Sequence, residues 1–139
     1  MFSRIKQGLT CLFSKYNNEN DEIVKEILSS REFIYFDKMS DYDKIHSLGV
    51  YKKILKDDIL KNDILYLKLG LLHDCGKGKV TLLRRVKKVL IGDKVLEKHP
   101  EEGAKKIAPI NRELSFLILN HHGKPEDGKM ERFQKIDDK

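Results

Sequence analysis

Residues 67–80, LKLGLLHDCGKGKV, place an imidazole and a carboxylate side by side at the end of an apolar helix. The leucine-rich run before His73 and Asp74 is apolar on nearly all sides, so we expect it to be the most buried helix of the fold. Burying either polar group without a hydrogen-bond partner would cost roughly 2 to 7 kcal/mol. Either the helix end supplies partners for both groups, or other polar residues of the chain meet them in space.

The composition is typical of one soluble domain. The chain has 139 residues, of which 40% are hydrophobic and 36% are charged, which is enough for a single ordinary core. No apolar run approaches the roughly 18 residues that a membrane span needs, and the start lacks the cleavage pattern of a signal peptide. The two cysteines, Cys11 and Cys75, form no disulfide framework, and free thiols fit a cytoplasmic location.

The positive charge does not predict a nucleic-acid-binding protein. The formal net charge is +6, but the excess is lysine that is spread along the chain between acidic residues. There is no arginine-rich run and no tryptophan, so a solvated surface is the better interpretation than a specific nucleic-acid interface. A general attraction for phosphorylated molecules follows from the charge.

The hydrophobic pattern is helical nearly throughout and predicts an all-α domain. Residues 1–20 form a basic amphipathic segment that could dock on the core, contact a partner or lie on a membrane surface, and residues 21–139 form the helical domain. Capping residues and helix breakers predict seven helices. The first three run from Asp21 toward Phe36, from Ser40, and from Asp57 or Asp58 to Gly76 and Gly78. The other four lie over 81–92, where Gly92 ends the helix, from Pro100 to Pro109, over 112–122 and over 131–139.

The histidines concentrate at the ends of the apolar helices. There are five: His46, His73, His99, His121 and His122. For one of them alone, a core or capping histidine with a satisfied hydrogen bond is the better interpretation. For all five together with Asp74, a shared metal site explains the pattern better, because neutral imidazole is the commonest metal ligand and a divalent cation offsets the cost of burying a carboxylate.

Five motifs, in this order, resemble the HD-domain superfamily of metal-dependent phosphohydrolases. They are DKIHSLGVYKKI (43–54), LGLLHDCGKG (69–78), HPEEGAKKI (99–107), ILNHH (118–122) and FQKIDD (133–138). The resemblance runs from about residue 40 to the C-terminus. It implies a compact single-domain bundle of α-helices.

The resemblance also implies two divalent transition-metal ions. The ligands expected on the first ion are His46, His73 and Asp137, with the adjacent Asp138 as the alternative to Asp137. The ligands expected on the second ion, which resemble those of the two-metal branch, are His99, His121 and His122. Asp74 is expected to bridge the two ions. A set rich in histidine suits Fe, Mn, Zn, Co or Ni.

The implied reaction is hydrolysis of a phosphate ester or anhydride, of a nucleotide or another small phosphorylated molecule. Two neighbouring cations share one hydroxide nucleophile, lower its pKa and hold the phosphoryl oxygens through the transition state. The implied catalytic residues are Asp74 and Lys77, because Lys77 matches a lysine that family members place near the substrate phosphate. A solvated loop lysine is the structural alternative for Lys77.

The chain departs from the cyclic-dinucleotide phosphodiesterase branch called HD-GYP. Gly123 stands where that branch has a glutamate, and no Gly-Tyr-Pro element follows the double histidine. The resemblance therefore does not extend to that branch. Two other functions stay open, which are a mixed-valent di-iron oxygenase with similar ligands and a non-catalytic signalling or scaffold module. A homo-oligomer is compatible with the sequence.

Overall fold

The computed structural model describes residues 15–77 and 99–138. In these two ranges the chain forms seven α-helices and three short 3-10 helices and has no strand, so the predicted all-α fold is confirmed. The α-helices are α1 (Asp21–Ile27), α2 (Ser30–Asp37), α3 (Asp41–Leu55), α4 (Ile64–Leu72), α5 (His99–Ile107), α6 (Arg112–Asn120) and α7 (Gly128–Asp137). The 3-10 helices are Asn18–Asn20, Leu60–Asn62 and Cys75–Lys77.

Helix α4 is the centre of the core, as its sequence predicts. Its last turns bury side chains on every side, and Leu69, Leu71 and Leu72 are fully buried. Each leucine buried in this way contributes about 1.5 to 3 kcal/mol. Helices α3 and α6 pack directly on α4, while α5 packs on α6 and α7 on α3. Within the described ranges, none of the helices combines the length and the apolar character needed to cross a bilayer.

The single helix predicted from Asp21 toward Phe36 is wrong, because the chain breaks at Leu28 into α1 and α2. Ser29 begins α2 through a capping box: its Oγ accepts a hydrogen bond from the Glu32 N–H at 3.2 Å, and its own N–H donates to Glu32 Oε1 at 2.8 Å. The apolar spacing continues across the break, so periodicity alone missed it. The Ser-x-x-Glu signal of the cap was nevertheless present in the sequence.

The predicted start of the central helix at Asp57 or Asp58 is also wrong. Asp57 Oδ1 accepts hydrogen bonds from the N–H groups of Ile59 and Leu60, both at 2.9 Å. Such short-range bonds from an aspartate favour a turn over a helix. The N-cap is Asp63 instead, whose Oδ1 accepts a hydrogen bond from the Leu65 N–H at 3.0 Å.

Other predicted boundaries agree with the structure more closely. Ser40 caps α3, Pro100 lies in the first turn of α5, and α5 ends before Pro109. The last helix begins three residues earlier than predicted, at Gly128, because Asp127 caps it. The predictions for the segment 1–14 with Cys11, for Gly78 and for a helix over 81–92 lie outside the described residues. The proposed boundary between residues 20 and 21 stays a prediction.

A buried polar network joins α2, α4 and the start of α6. Glu32, which is 1% exposed, accepts hydrogen bonds from Ser29 N–H at 2.8 Å and from Asn111 Nδ2 at 3.2 Å. Lys68 Nζ on α4 lies 2.9 Å from Glu32 Oε1. Although burial opposes its charge, the bonds from Lys68, Ser29 and Asn111 lower the pKa of Glu32 below its ordinary value. This network fixes how α2 and α6 sit against the central helix.

Candidate metal centre

The structure brings all seven predicted metal ligands together at one end of the bundle. Each ligand lies near the end of a helix that reaches this part of the bundle. The positions are His46 in the second turn of α3, His73 and Asp74 after the last residue of α4, His99 at the start of α5, His121 and His122 after the end of α6, and Asp137 in the last turn of α7. Because α4 is held by apolar packing on all sides, its C-terminal end places the His73–Asp74 pair at the centre of the group.

The first group of ligands surrounds Asp137 Oδ1. The Nε2 atoms of His46 and His73 lie 3.0 and 3.1 Å from this oxygen. Asp74 Oδ2 is 3.3 Å from His73 Nε2 and 3.8 Å from His46 Nε2. One ligand atom from each of His46, His73 and Asp74 falls within 4.8 Å of the others, which is close enough to share one metal ion.

The second group consists of imidazoles alone. The Nε2 atoms of His121 and His122 each lie 3.2 Å from His99 Nε2, and all three residues form a group that could hold one ion. His99 and His121 are buried, while His122 is exposed. Solvent and a small molecule can therefore reach the second group from the side of His122.

Asp74 lies between the two groups and gives one oxygen to each. Its Oδ2 faces His73 and His46, and its Oδ1 lies 3.1 Å from His99 Nε2. The residue is 3% exposed, so water does not satisfy its charge. A carboxylate with this orientation is placed to bridge two cations.

The hydrogen bonds of two buried histidines fix which ring nitrogen faces the centre. His73 Nδ1 approaches the Gly70 carbonyl oxygen at 3.0 Å, and His121 Nδ1 approaches that of Ile118 at 2.5 Å. A carbonyl oxygen only accepts, so each Nδ1 carries the proton and each neutral ring presents a bare Nε2 lone pair. Metal-binding histidines typically have this arrangement, in which the second ring nitrogen donates to the protein.

His73 Nε2 provides the test of whether a metal fits. This atom is buried and has no hydrogen-bond partner, although carboxylate oxygens of Asp74 and Asp137 lie at 3.3 and 3.1 Å. A lone pair that faces two anionic oxygens is repelled unless a proton or a cation lies between them. The donor set of imidazoles and carboxylates therefore fits a divalent transition-metal ion.

The electrostatics differ between the two groups. Burial disfavours the charged form of His73, but the carboxylates of Asp74 and Asp137 outweigh it and raise the pKa of His73 to about 9. Burial, together with the charges of His73 and His122, lowers the pKa of His121 to about 3. Burial also lowers the pKa of His122, so His121 and His122 are held in the neutral form that binds metal. A cation entering the first group would instead displace a proton from His73.

The two carboxylates are held in their charged form. Burial alone would raise the pKa of Asp137, but His73 and His46 lower it well below the ordinary value. The pKa of Asp74 is likewise lowered despite burial, because His73, Lys77 and His99 stabilise its charge. Asp138, by contrast, is exposed at the C-cap of α7, so the geometry favours Asp137 as the late ligand.

Two further residues, Gly76 and Lys106, hold the turn after Asp74 against α5. Neither role was predicted from the sequence. The turn Cys75–Lys77 packs so closely on α5 that a side-chain carbon at Gly76 would overlap the carbonyl oxygen of His99. Lys106 Nζ donates a hydrogen bond to the carbonyl oxygen of Cys75 at 3.3 Å. The available signal was the spacing of His99, Gly103 and Lys106, which places all three on one face of α5.

A family comparison agrees with this geometry. The model of the HD domain matches residues 44–137, which is more than half of the chain and spans all seven residues of the centre. The chain belongs to the HD-domain family. The HD domain defines a superfamily of metal-dependent hydrolases whose members bind divalent metals, and the histidine and aspartate groups of this HD domain could hold such ions. The comparison with curated proteins and the comparison with solved structures each found no match.

Proposed function

We propose that this HD domain is a phosphohydrolase with a two-metal centre that cleaves a phosphate ester or anhydride of a small molecule. The observation that carries the proposal is the position of Asp74, whose two oxygens face two different groups of histidines. A centre for one ion would need only the first group. The second group of three imidazoles, which meets Asp74 through His99, then has no structural reason to gather beside the same carboxylate.

The ligands divide between the ions according to these distances. His46, His73 and Asp137 would hold the first ion, and Asp74 would contact both. The second ion would be held by His99, His121 and His122. Fe, Mn, Zn, Co and Ni all suit such a donor set. When bound, a pair of divalent cations supplies an activated water and neutralises the charge on the phosphoryl group.

The chain itself contributes orientation and a further positive charge. The carbonyl oxygens of Gly70 and Ile118 hold the rings of His73 and His121 with their Nε2 atoms toward the centre. Lys77 Nζ lies 3.5 Å from Asp74 Oδ1, and its side chain is 17% exposed. From there the ammonium group can contact a non-bridging oxygen of a phosphate that reaches the centre, as lysine does in many phosphate sites.

The proposed substrate is a small phosphorylated molecule, such as a nucleotide. The exposed side of His122 and the half-buried ring of His46 leave an opening to the centre. The positive net charge of the chain favours anionic substrates over neutral ones. We also propose a cytoplasmic location, which the free thiol of Cys75 supports. Asp74 and Lys77 are the proposed catalytic residues.

The proposal can be tested on the full chain purified without chelator. We expect elemental analysis to give about two transition-metal ions per chain, and a panel of phosphomonoesters, phosphodiesters and nucleotides to be hydrolysed equally well in air and under nitrogen. One ion at most, after reconstitution with Fe, Mn or Zn, would reduce the centre to the one-metal type. Turnover that requires oxygen would support the oxygenase instead, and a chain that binds no metal would support the scaffold module.

A further inference from the structure

A second concave site lies outside the metal centre. A cleft of about 320 Å³ opens between α3 and the segment of residues 15–20. Helix α3 contributes one continuous face to it, formed by Ile45, Leu48, Gly49 and Lys52. Small-ligand sites in proteins have volumes of about 300 to 1,000 Å³, so the cleft is large enough for a small organic molecule.

The cleft is distinct from the metal centre. None of the seven proposed metal ligands lines it. His46 follows Ile45 directly, but successive residues of a helix are rotated by about 100°, and the ring of His46 is directed toward Asp137 at 3.0 Å. A ligand in the cleft would therefore lie beside the face of α3 that carries His46, without contacting the metal ligands.

Gly49 leaves the backbone of α3 open toward the cleft. A side-chain carbon at this position would meet no atom within 4 Å, so packing among the described residues does not require a glycine. Glycine inside a helix is less stable than alanine, and α3 continues for six residues beyond this one. The absence of a side chain allows a bound molecule to approach the helix backbone closely.

The polar groups at the cleft are cationic or can donate hydrogen bonds. In the part of the chain that the structure describes, neither Lys15 nor Lys52 forms an ion pair. Asn20 caps no backbone N–H of α1. Asn17 uses its Oδ1 to accept a hydrogen bond from the Glu19 N–H at 3.0 Å, so its amide group can donate.

Two acidic groups near the cleft, Asp21 and Asp41, accept hydrogen bonds from Tyr16, which holds the outer wall in place. The Tyr16 hydroxyl donates to Asp21 Oδ1 at 2.8 Å, and its N–H donates to Asp41 Oδ2 at 3.3 Å. The ring packs edge-on against Phe36 with 5.9 Å between centroids. The wall of the cleft is therefore fixed to the body of the domain, and the two lysines remain as charges without a counter-ion from the described residues.

We propose that this cleft binds a small phosphorylated molecule with a flat or apolar body. Lys15 and Lys52 contact the phosphate, and the body lies against Ile45, Leu48 and the open backbone at Gly49. Nucleoside monophosphates combine these two parts. The proposal does not depend on the function of the metal centre, because no residue is shared between the two sites.

The test compares the wild-type chain with three variants by calorimetric titration with adenosine 5′-monothiophosphate, a nucleotide that resists hydrolysis. Lys52→Glu reverses one charge of the cleft, and Gly49→Leu fills the space next to the helix. Lys53→Glu is the matched control, because Lys53 is an exposed neighbour that does not line the cleft. Lys52→Glu should weaken binding roughly tenfold or more, which corresponds to the loss of one charged contact. Gly49→Leu should weaken binding by occupying the space of the ligand, while Lys53→Glu should bind like the wild type.

Adenosine and ribose 5-phosphate, titrated separately, test whether both parts of the ligand matter. Each should bind more weakly than the nucleotide. Equal binding by all four proteins would place the nucleotide elsewhere, at the metal centre above all, and would overturn the proposal. An absence of saturation at millimolar nucleotide would overturn it too. Circular dichroism confirms that the variants fold.

Discussion

Two buried carboxylate clusters of this protein differ in whether the chain supplies hydrogen-bond donors to the carboxylate oxygens. Around Glu32, each carboxylate oxygen meets groups that donate: Ser29 N–H and Lys68 Nζ lie at 2.8 and 2.9 Å from Oε1, and Asn111 Nδ2 lies at 3.2 Å from Oε2. The chain supplies the counter-charge itself, through Lys68. This cluster is complete without any added group.

At the metal centre the carboxylates face imidazole nitrogens, which donate a hydrogen bond only when the ring carries a proton on that nitrogen. His73 directs its only neutral-state N–H at Gly70 and turns a bare Nε2 toward Asp74 and Asp137. The counter-charge must therefore come from outside the chain, as protons or as metal ions. Burial of a carboxylate therefore does not by itself indicate a metal site. A metal site is indicated when a buried carboxylate has too few hydrogen-bond donors around it.

The largest expected effect follows from removing the carboxylate that both groups share. Asp74→Asn keeps the size of the side chain but removes the charge that offsets two cations. We expect the variant to bind neither ion well and to lose activity by roughly a thousandfold, since several kcal/mol of stabilisation are lost. Metal content, phosphoesterase rate and helicity should be measured together.

The matched control is Asp138→Asn, which removes the same charge at an exposed C-cap. It should keep both ions and nearly full activity. The helicity of both variants should match the wild type, because neither substitution removes a side chain from the apolar core. If Asp74→Asn kept its metal and its rate, Asp74 would be a helix-end residue like the satisfied Glu32, and the comparison between the two clusters would fail.

The next effect separates the two groups of the centre. His121→Ala should lose only the second ion, and Asp137→Asn only the first, so each variant should retain about one ion per chain and lose most of its activity. Elemental analysis of both variants in parallel checks this expectation. The loss of both ions from either variant would mean that the groups bind metal cooperatively, and the retention of both ions by His121→Ala would remove His121 from the ligand set.

The convergence of the five histidines and Asp74 could be predicted from sequence because each stands at a helix end or on an inner helix face. Ends of neighbouring helices meet at the same end of a bundle, so local patterns were enough to bring these six residues together, whereas Asp137 followed only from the resemblance to the HD-domain family. The helix order was predictable for the same reason. The helix starts after Ser29 and Asp63 were missed, although both residues are common N-caps and could have been recognised in the sequence.

The Glu32 network could not be predicted from a local pattern. Its partners are Lys68 on α4 and Asn111, which stands 79 residues further along the chain. Lysine and asparagine occur throughout this sequence at exposed positions, so nothing local distinguished these two. Contacts of this kind depend on tertiary packing.

The smallest expected effect concerns the satisfied cluster, where a substitution should change stability but leave metal binding intact. Glu32→Gln leaves Lys68 without its counter-ion and turns an acceptor into a group that partly donates. We expect a loss of about 1 to 3 kcal/mol in the free energy of unfolding, with unchanged metal content. Glu26→Gln, at an exposed position of α1, is the control and should change stability by less than about 0.5 kcal/mol.

The pH dependence of the stability lost in Glu32→Gln tests whether the charge of Glu32 stabilises the fold. The bonds to Glu32 lower its pKa in the folded state below the ordinary value of 4.5. The unfolded chain therefore takes up a proton first on acidification, and the stabilisation from the charged Glu32 is complete above about pH 4.5 and is lost as the pH falls through the folded-state pKa. The stability difference between wild type and Glu32→Gln should accordingly narrow below pH 4.5 and stay constant from pH 5 to 8. Other carboxylates titrate in both proteins and cancel in this difference. Denaturant unfolding of both proteins across this pH range measures it, and a gap that stayed constant down to pH 3 would show that the charge of Glu32 does not stabilise the fold.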